Sequence, residues 1–402
     1  GVSSTLVLIQ TEKYILSFVP VMARRFSCLH RTGTCAMISR NRAGNKRGNR
    51  NMKTRMMQII DSENVRDEEL REAARILRTG GLVAFPTETV YGLGANALDE
   101  KASGKIYAAK GRPSDNPLIA HISAIEELKP LVKEIPEMGR RLAEAFWPGP
   151  LTMIVKKNKT VPDETTGGLD TVAVRMPNHP AALALIRESG CLIAAPSANT
   201  SGRPSPTLAE HVAEDLNGKI PVILDGGEVG IGIESTIVDL TEEIPLILRP
   251  GYITQAMIKE GIGDVRVDPG LTAEDSEIPP KAPGMKYRHY APQAGLMIVD
   301  GSKDAVIQKI NALTDQMHAA KKKVGIIGTD ETAFAYHGDV VLSVGAREEE
   351  DAIARHLYRI LREFDSVSVD IIYSESFQTP KMGQAIMNRL LKAAGHQVLM
   401  VQ

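Results

Sequence analysis

Short apolar runs alternate with amphipathic stretches from residue 67 onward, and this alternation predicts an α/β fold. The stretch DEELREAARILRTGG places apolar residues on one helical face, with acids in its first turn and Gly80 as its stop. The apolar run Leu82–Phe85 that follows predicts an interior strand. Alternation of this kind continues to about Gly251 and indicates a twisted, mixed sheet with packed helices.

A second α/β unit is predicted at the carboxyl-terminal end. Residues 252–293 are rich in Gly and Pro without sustained periodicity and predict a linker. Strands are then predicted at 296–299, 324–327 and 340–344, and an amphipathic helix at 350–364. We therefore expect an α/β domain at 52–254, a linker or lid loop at 255–293, and a smaller doubly wound, Rossmann-like α/β domain at 294–402.

The charge of the chain is divided unevenly. Residues 1–51 contain nine Lys or Arg and one acid, a net charge of +8, so the whole-chain value of −1 leaves −9 for the remainder. A bulk negative charge opposes nucleic-acid binding except through a local basic patch. The basic segment resembles an organelle transit peptide. A disordered or upstream-translated extension is the favoured interpretation, with Met52 as the natural start of the fold.

Cysteine usage and hydropathy narrow the class of protein further. The three cysteines, Cys28, Cys35 and Cys191, form no CxxC pair, which excludes a disulfide framework or a Cys-based zinc site and fits a reducing cytosol. No apolar run reaches the ~18 to 20 residues that span a bilayer. We expect a cytoplasmic protein without a membrane segment.

Four polar loops carry the candidate chemistry, since GxxxxGK[ST], GxGxxG, HExxH and GxSxG motifs are all absent. The loops are PTETVYGLG, AKGRPSDNPLIAH, APSANTSGRPSPT and GGEVGIGIESTIVDL. Each also has a purely structural interpretation, as a self-bonded turn or a solvated surface loop. Together, next to strand ends, they predict a pocket for anionic small molecules that acts by positioning and charge stabilisation.

Arg175 is the most informative single residue, because it stands inside the apolar strand TVAVRM. Buried Arg needs an anionic partner, either a structural ion pair with Asp170 or Glu234, or a bound carboxylate. Arg249 raises the same question, and Glu88 receives no role.

The ordered set of motifs resembles a known family. FPTETVYGLG, KGRPSDNPL, WPGPLT, VRMP, APSANTSGRPSPT and GIESTIVD look like the YrdC-like domain of threonylcarbamoyl-AMP synthases. RPG followed by PGMKYRHYAP and an α/β domain looks like the longer, two-domain branch. The resemblance implies a reaction of L-threonine, bicarbonate or CO2, and ATP to threonylcarbamoyl-adenylate and pyrophosphate. The product would feed a separate transferase complex that modifies tRNA beside the anticodon.

The resemblance also implies roles for individual residues. Lys110 and Arg112 are the implied catalytic cations, and Mg2+ is expected on the ATP phosphates rather than on protein side chains. Threonine would contact Thr87, His121, Arg175 and Ser235. ATP would contact Arg112, Asn116, Thr171, Ser197, Asn199, Ser205 and Arg249. Tyr287 and Tyr290 are the implied lid residues.

Two other classes of protein share part of this pattern. A hydrogenase-maturation carbamoyl transferase shares the fold but carries an acylphosphatase-like segment and CxxC zinc fingers, and neither is found in this sequence. A non-catalytic module for double-stranded RNA or ribosome maturation would use the Lys110 and Arg112 surface, with affinity that falls steeply in salt. The intact ligand loops and the acidic bulk favour the enzyme, which leaves room for a weak tRNA or double-stranded-RNA contact.

Overall fold

An eleven-stranded mixed sheet frames the first part of the computed structural model, which describes residues 52–59, 68–271 and 289–402. Its strands in chain order are β1 (Arg55–Gln58), β2 (Val83–Phe85), β3 (Gly92–Asn96), β4 (Ile119–His121), β5 (Leu151–Lys156), β6 (Thr171–Arg175), β7 (Ile193–Ala194), β8 (Val222–Asp225), β9 (Thr236–Asp239), β10 (Leu246–Arg249) and β11 (Arg266–Val267). They lie in the order β1-β8-β2-β3-β7-β4-β6-β5-β9-β10-β11.

Helices cover this sheet on both faces. They are α1 (Glu68–Arg78), α2 (Glu100–Lys110), α3 (Glu137–Phe146), α4 (Asp163–Thr166), α5 (Pro180–Ser189), α6 (Ala209–Leu216) and α7 (Gln255–Ile262). Successive residues of a strand point to opposite faces. Accordingly Val83 and Phe85 join the apolar cluster under α1 and α5, while Ala84 joins the larger cluster on the other face.

A smaller, all-parallel sheet forms the carboxyl-terminal domain, as the doubly wound prediction requires. Its elements are β12 (Gly295–Asp300), α8 (Lys303–Ala319), β13 (Val324–Gly328), β14 (Val340–Ser343), α9 (Glu350–Val367), β15 (Ile371–Glu375), α10 (Gly383–Ala393) and β16 (Val398–Met400). The strands lie in the order β14-β13-β15-β12-β16.

The glycine-rich end of the first polar loop is a strand rather than a turn. Gly92 and Gly94 lie in β3, which pairs antiparallel with β2. A Cβ on Gly94 would lie 2.9 Å from the Phe85 ring and 2.8 Å from Ile193. These glycines therefore make room for neighbouring side chains, a requirement that the composition of the stretch alone does not reveal.

The segment predicted as a linker begins with regular structure. Helix α7 starts after Thr254, whose hydroxyl accepts a hydrogen bond from the Met257 amide, and it buries Ile258 and Ile262. Strand β11 then pairs with β10. The glycines in this stretch make its composition typical of a linker, so the sequence analysis does not predict the short helix α7. Residues 272–288 and 1–51 lie outside the described part of the chain.

One apolar cluster contains residues of both domains. Val90 and Ile233, from two of the polar loops, pack in the same cluster as Leu357 and Phe364 of α9. Gly232 touches α9 most closely: its φ is +86°, and an added Cβ would lie 2.3 Å from Arg355 Cα. Only glycine fits this contact, since no side chain could be accommodated there without moving the helix.

We expect Gly232→Ala to lower the free energy of unfolding by about 3 kcal/mol, because a left-handed backbone and a backbone clash both oppose the methyl group. Gly227→Ala is the matched control, since Gly227 has φ +81° but no neighbour within 4 Å of an added Cβ. Strain alone should cost about 1 kcal/mol there. Urea unfolding of both variants measures the difference, and equal losses would contradict the proposed close contact.

Candidate active site

One cavity collects most of the predicted site residues. It encloses about 690 Å3 of space, and this figure includes the part that is open to solvent. The predicted residues that line it are Thr87, Lys110, Arg112, His121, Arg175, Ser197, Asn199, Ser205, Ser235, Arg249 and Tyr290.

The cavity lies over a face of the large sheet, not only beside strand ends. Ile119 and His121 are two residues apart in β4 and both line it, as do Ala195 and Ser197 directly after β7. Residues at this spacing point to the same face. Gly92, which carries no side chain, supplies part of the floor.

His121 and Arg175 occupy paired positions on adjacent parallel strands. The His121 ring lies with Nδ1 3.0 Å from the Ile119 carbonyl oxygen, which assigns the proton to Nδ1 and leaves Nε2 as an acceptor. Burial and, to a smaller extent, the charge of Arg175 lower the pKa of His121 to about 3. The imidazole is therefore neutral at pH 7.

Glu88 is the ion-pair partner of Arg175, which corrects both partners considered from sequence. The Arg175 Nη2 atom lies 2.7 Å from Glu88 Oε2, whereas Asp170 pairs with Lys156 and Glu234 pairs with Arg389. Sequence reasoning had left Glu88 without a role, because its distance from Arg175 along the chain hides the contact.

The remaining guanidinium contacts of Arg175 are neutral. Nη1 donates to Thr89 Oγ1 at 2.9 Å, and Nε lies 3.4 Å from the Gly149 carbonyl oxygen. Arg175 Nη2 lies close to Glu88, but the angles of this contact are outside hydrogen-bond geometry. No other described residue accepts a hydrogen bond from Nη2.

Lys110 is a buried cation at the end of α2. Its Nζ donates to the Ser197 carbonyl oxygen at 2.5 Å and to the Asn199 carbonyl oxygen. Burial lowers the pKa of Lys110 well below its usual value, and the neighbouring Arg112 adds to that decrease. The amine thus ties the loop that contains Ser197 and Asn199 to α2.

Ser235 and Arg249 form the opposite wall. The Ser235 hydroxyl lies 2.8 Å from Thr152 Oγ1 and accepts from Arg249 Nη2 at 3.2 Å. Arg249 Nε also donates to the Ser235 carbonyl oxygen at 3.0 Å. These bonds fix the cation and the hydroxyl in one arrangement beside the cavity.

Thr87 satisfies both interpretations of the first polar loop. Its hydroxyl donates to the Val90 carbonyl oxygen at 2.7 Å and lies 2.9 Å from Thr89 Oγ1, so the loop is a self-bonded turn. The same hydroxyl group belongs to a residue that lines the cavity. Structural and binding roles are therefore compatible at this position.

Two residues named from sequence do not line the cavity, and a third falls outside the described part of the chain. Asn116 is buried behind Arg112, whose guanidinium approaches the Asn116 carbonyl oxygen at 3.4 Å, and it does not line the cavity. Thr171 begins β6, four residues before Arg175, and pairs with Lys156. Tyr287 lies outside the described residues.

Glu234 and His289 also line the cavity and were missed as site residues. The motif GIESTIVD contained a signal for Glu234, because a carboxylate beside Ser235 in an apolar context needs a partner. Two of its partners, Tyr358 and Arg389, belong to the carboxyl-terminal domain, where sequence periodicity predicts helix faces but not contacts.

Two features are absent from residues 52–59, 68–271 and 289–402. No cluster of three or more His, Cys, Asp or Glu side chains suited to a metal ion occurs among these residues. None of the helices in the same ranges combines the length and apolar character that crossing a membrane requires.

Family models match both domains. Residues 75–251 match the family described as Telomere recombination, and residues 253–395 match the one described as Threonylcarbamoyl-AMP synthase, C-terminal domain. The threonylcarbamoyl-AMP synthase of Pyrococcus abyssi is 52% identical over 339 residues, which cover 84% of this chain and 98% of the relative. The chain belongs to the threonylcarbamoyl-AMP synthase family.

Other members of the threonylcarbamoyl-AMP synthase family support this assignment. The Bacillus subtilis enzyme of that name is 50% identical over 351 residues, 87% of this chain and the whole of the relative. The structure of Pyrococcus abyssi Sua5 complexed with L-threonine has a TM-score of 0.81 and 49% identity, over 87% of this chain and all of that one. The predicted family, fold class and enzyme class are thereby confirmed.

We expect Glu88→Gln to lower the free energy of unfolding by about 3 kcal/mol, because it leaves the buried Arg175 without its anion. Asp170→Asn is the control: it removes the partner of Lys156 in an exposed pair and should cost less than about 1 kcal/mol. Chemical denaturation of both variants measures the contrast. A Glu88→Gln protein as stable as Asp170→Asn would refute the assigned pairing.

His121 should make stability depend on pH. Its native pKa lies below the unfolded value, so the unfolded chain binds the extra proton and stability is lost as pH falls below about 6.5. Between pH 7.5 and 5.5 one such group accounts for about 1.4 kcal/mol. We expect His121→Asn to lose less stability than the parent over this interval by about that amount. Identical losses in urea unfolding would show that His121 is protonated in the native state.

Proposed function

We propose that this protein forms threonylcarbamoyl-adenylate and pyrophosphate from L-threonine, bicarbonate or CO2, and ATP, for modification of tRNA beside the anticodon. The observation that carries the proposal is the charge of the cavity. Its lining residues in the described chain include four cations, Lys110, Arg112, Arg175 and Arg249, and a single carboxylate, Glu234. Such a site favours anionic substrates and the charge that develops in phosphoryl transfer.

The threonine end lies at His121 and Arg175. The Arg175 guanidinium would bind the amino-acid carboxylate, and its planar fork suits that group. The neutral His121 offers Nε2 as an acceptor for the substrate amine or hydroxyl. Thr87 and Ser235 supply hydroxyl groups on either side.

The nucleotide end lies at the other cations. Lys110, Arg112 and Arg249 would contact the phosphates, with Ser197, Asn199 and Ser205 as neutral donors along one wall. Asn116 and Thr171 do not line the cavity, so a part for them would require a substrate that reaches beyond it.

The proposed reaction has two steps. The neutral amine of threonine attacks the carbon of bicarbonate, with loss of water, or of CO2, with loss of a proton, and a carbamate forms. A carbamate oxygen then bonds to the α-phosphorus as the bond to pyrophosphate breaks. The cations stabilise the charge on the phosphate oxygens, and the fixed positions of both substrates reduce the entropic cost of the encounter.

Magnesium would enter as part of the substrate, bound to the ATP phosphates. Glu234, the carboxylate that lines the cavity, already accepts hydrogen bonds from three side chains, so it is a poor candidate ligand. The ion would supply charge neutralisation on the phosphates.

Tyr290 would close one side of the site. The residue is buried, lines the cavity and lies next to the Ala291 amide, which donates to the Gly202 carbonyl oxygen at 2.9 Å. This bond joins the end of the 255–293 segment to the proposed nucleotide wall. The lid part assigned to Tyr287 stays a prediction.

The proposed reaction is tested by incubating the protein with ATP, Mg2+, bicarbonate and threonine and measuring pyrophosphate together with the adenylate product. Pyrophosphate should appear only when all components are present, and release without threonine or bicarbonate would refute the proposal.

Arg175→Lys keeps the charge but loses the fork, so the KM for threonine should rise at least about tenfold. Arg266→Lys, on the exposed side of β11, is the matched control.

A further inference from the structure

Glu234 connects the cavity to the carboxyl-terminal domain. One of its carboxylate oxygens, Oε1, accepts a hydrogen bond from the Ser205 hydroxyl in the nucleotide wall. The other, Oε2, accepts from the Tyr358 hydroxyl at 2.9 Å and from Arg389 Nε at 3.0 Å. Burial raises the pKa of Glu234, but the charges of Arg389 and Arg249 outweigh burial and lower it to about 2. The carboxylate is therefore ionised and engaged on both oxygens.

Arg389 donates hydrogen bonds to backbone carbonyl groups as well as to the Glu234 side chain. This residue of α10 is fully buried, and its Nη1 donates to the Pro250 carbonyl oxygen at 2.6 Å while Nη2 donates to the Glu234 carbonyl oxygen at 3.2 Å. Pro250 directly follows Arg249, and Glu234 directly precedes Ser235. One guanidinium thus fixes the chain beside two residues that line the cavity, although Arg389 itself does not line it.

Tyr358 adds a second contact from α9. Its ring is stacked on Tyr290, with centroids 5.1 Å apart and an interplanar angle of 30°. Its hydroxyl points to Glu234. The same side chain therefore touches the proposed closing residue and the carboxylate that holds Ser205.

Stabilising the interface between the domains does not by itself explain why Glu234 contacts Arg389 and Tyr358. Apolar packing between the domains, through Val90, Ile233 and α9, already supplies contact area. A buried ion pair rarely adds net stability over apolar residues of equal size, because both ions lose their hydration. The planar Arg389 guanidinium, however, binds one carboxylate and two carbonyl groups, and this geometry fixes the positions of those groups closely.

We propose that Arg389 and Tyr358 are positioning residues for the nucleotide side of the site, acting through Glu234 on Ser205 and through Pro250 on the backbone beside Arg249. The inference rests on the proposed function, in which Ser205 and Arg249 contact ATP. The carboxyl-terminal domain then contributes to substrate binding without touching the substrate.

Tyr358→Phe is the most discriminating variant, because it retains the stacked ring and removes one hydrogen bond to Glu234. We expect the KM for ATP to rise about three- to tenfold, while the KM for threonine changes less than about twofold. Arg389→Lys retains the charge without the fork and should raise the KM for ATP at least as much. Arg359→Gln is the control. Arg359 lies in α9 beside Tyr358 and forms an exposed ion pair with Glu228 of the first domain, away from the cavity.

Ser205→Ala separates failure of the inference from failure of the proposed function. Steady-state kinetics and thermal unfolding are measured for all four variants and the parent. If Ser205→Ala weakens ATP binding but Tyr358→Phe and Arg389→Lys lower only the melting temperature, the positioning role is overturned and the ATP assignment stands. If Ser205→Ala has the parent's KM for ATP, the assignment of this wall fails and the inference fails with it. A raised KM for ATP at unchanged KM for threonine in both carboxyl-terminal variants supports the inference.

Discussion

Concentrated positive charge in one partly enclosed cavity is the constraint on which the site depends. Lys110, Arg112, Arg175 and Arg249 all line it, and like charges repel strongly where water is scarce. The protein holds these cations largely with carbonyl and hydroxyl oxygens, as the contacts of Lys110 and Arg249 show. Neutral oxygens orient a cation without cancelling its charge, so the attraction for an anionic substrate is preserved.

Two carboxylates lie near these cations, and each forms an ion pair with a different arginine. Glu88 faces Arg175 at the proposed threonine end, and Glu234 faces Arg389 behind the proposed nucleotide end. Glu88 comes from the first domain, whereas the cation that holds Glu234 comes from the second. The site is therefore local at one end and shared between domains at the other.

The sequence predicted the family, both α/β domains and most of the residues that line the cavity, because motif residues stay close to the strands that carry them. Glu88 was not explained, since its partner Arg175 is distant along the chain. The composition of PTETVYGLG favours a turn, whereas Gly94 lies in strand β3, where the Phe85 ring leaves no room for a side chain. Arg389 sits in an ordinary amphipathic helix, and nothing in helical periodicity distinguishes a fork directed at another domain from a solvated arginine.

The contact between Glu234 and Arg389 has a consequence for how the protein is made. The two residues are 155 positions apart, so a ribosome working at about 5 to 20 residues per second needs on the order of ten seconds to add the second after the first. During that interval the nascent first domain holds a carboxylate whose cation does not yet exist, and Val90 and Ile233 lack the α9 surface that covers them. A chain released after α9 but before residue 389 covers Val90 and Ile233 and still leaves Glu234 without Arg389.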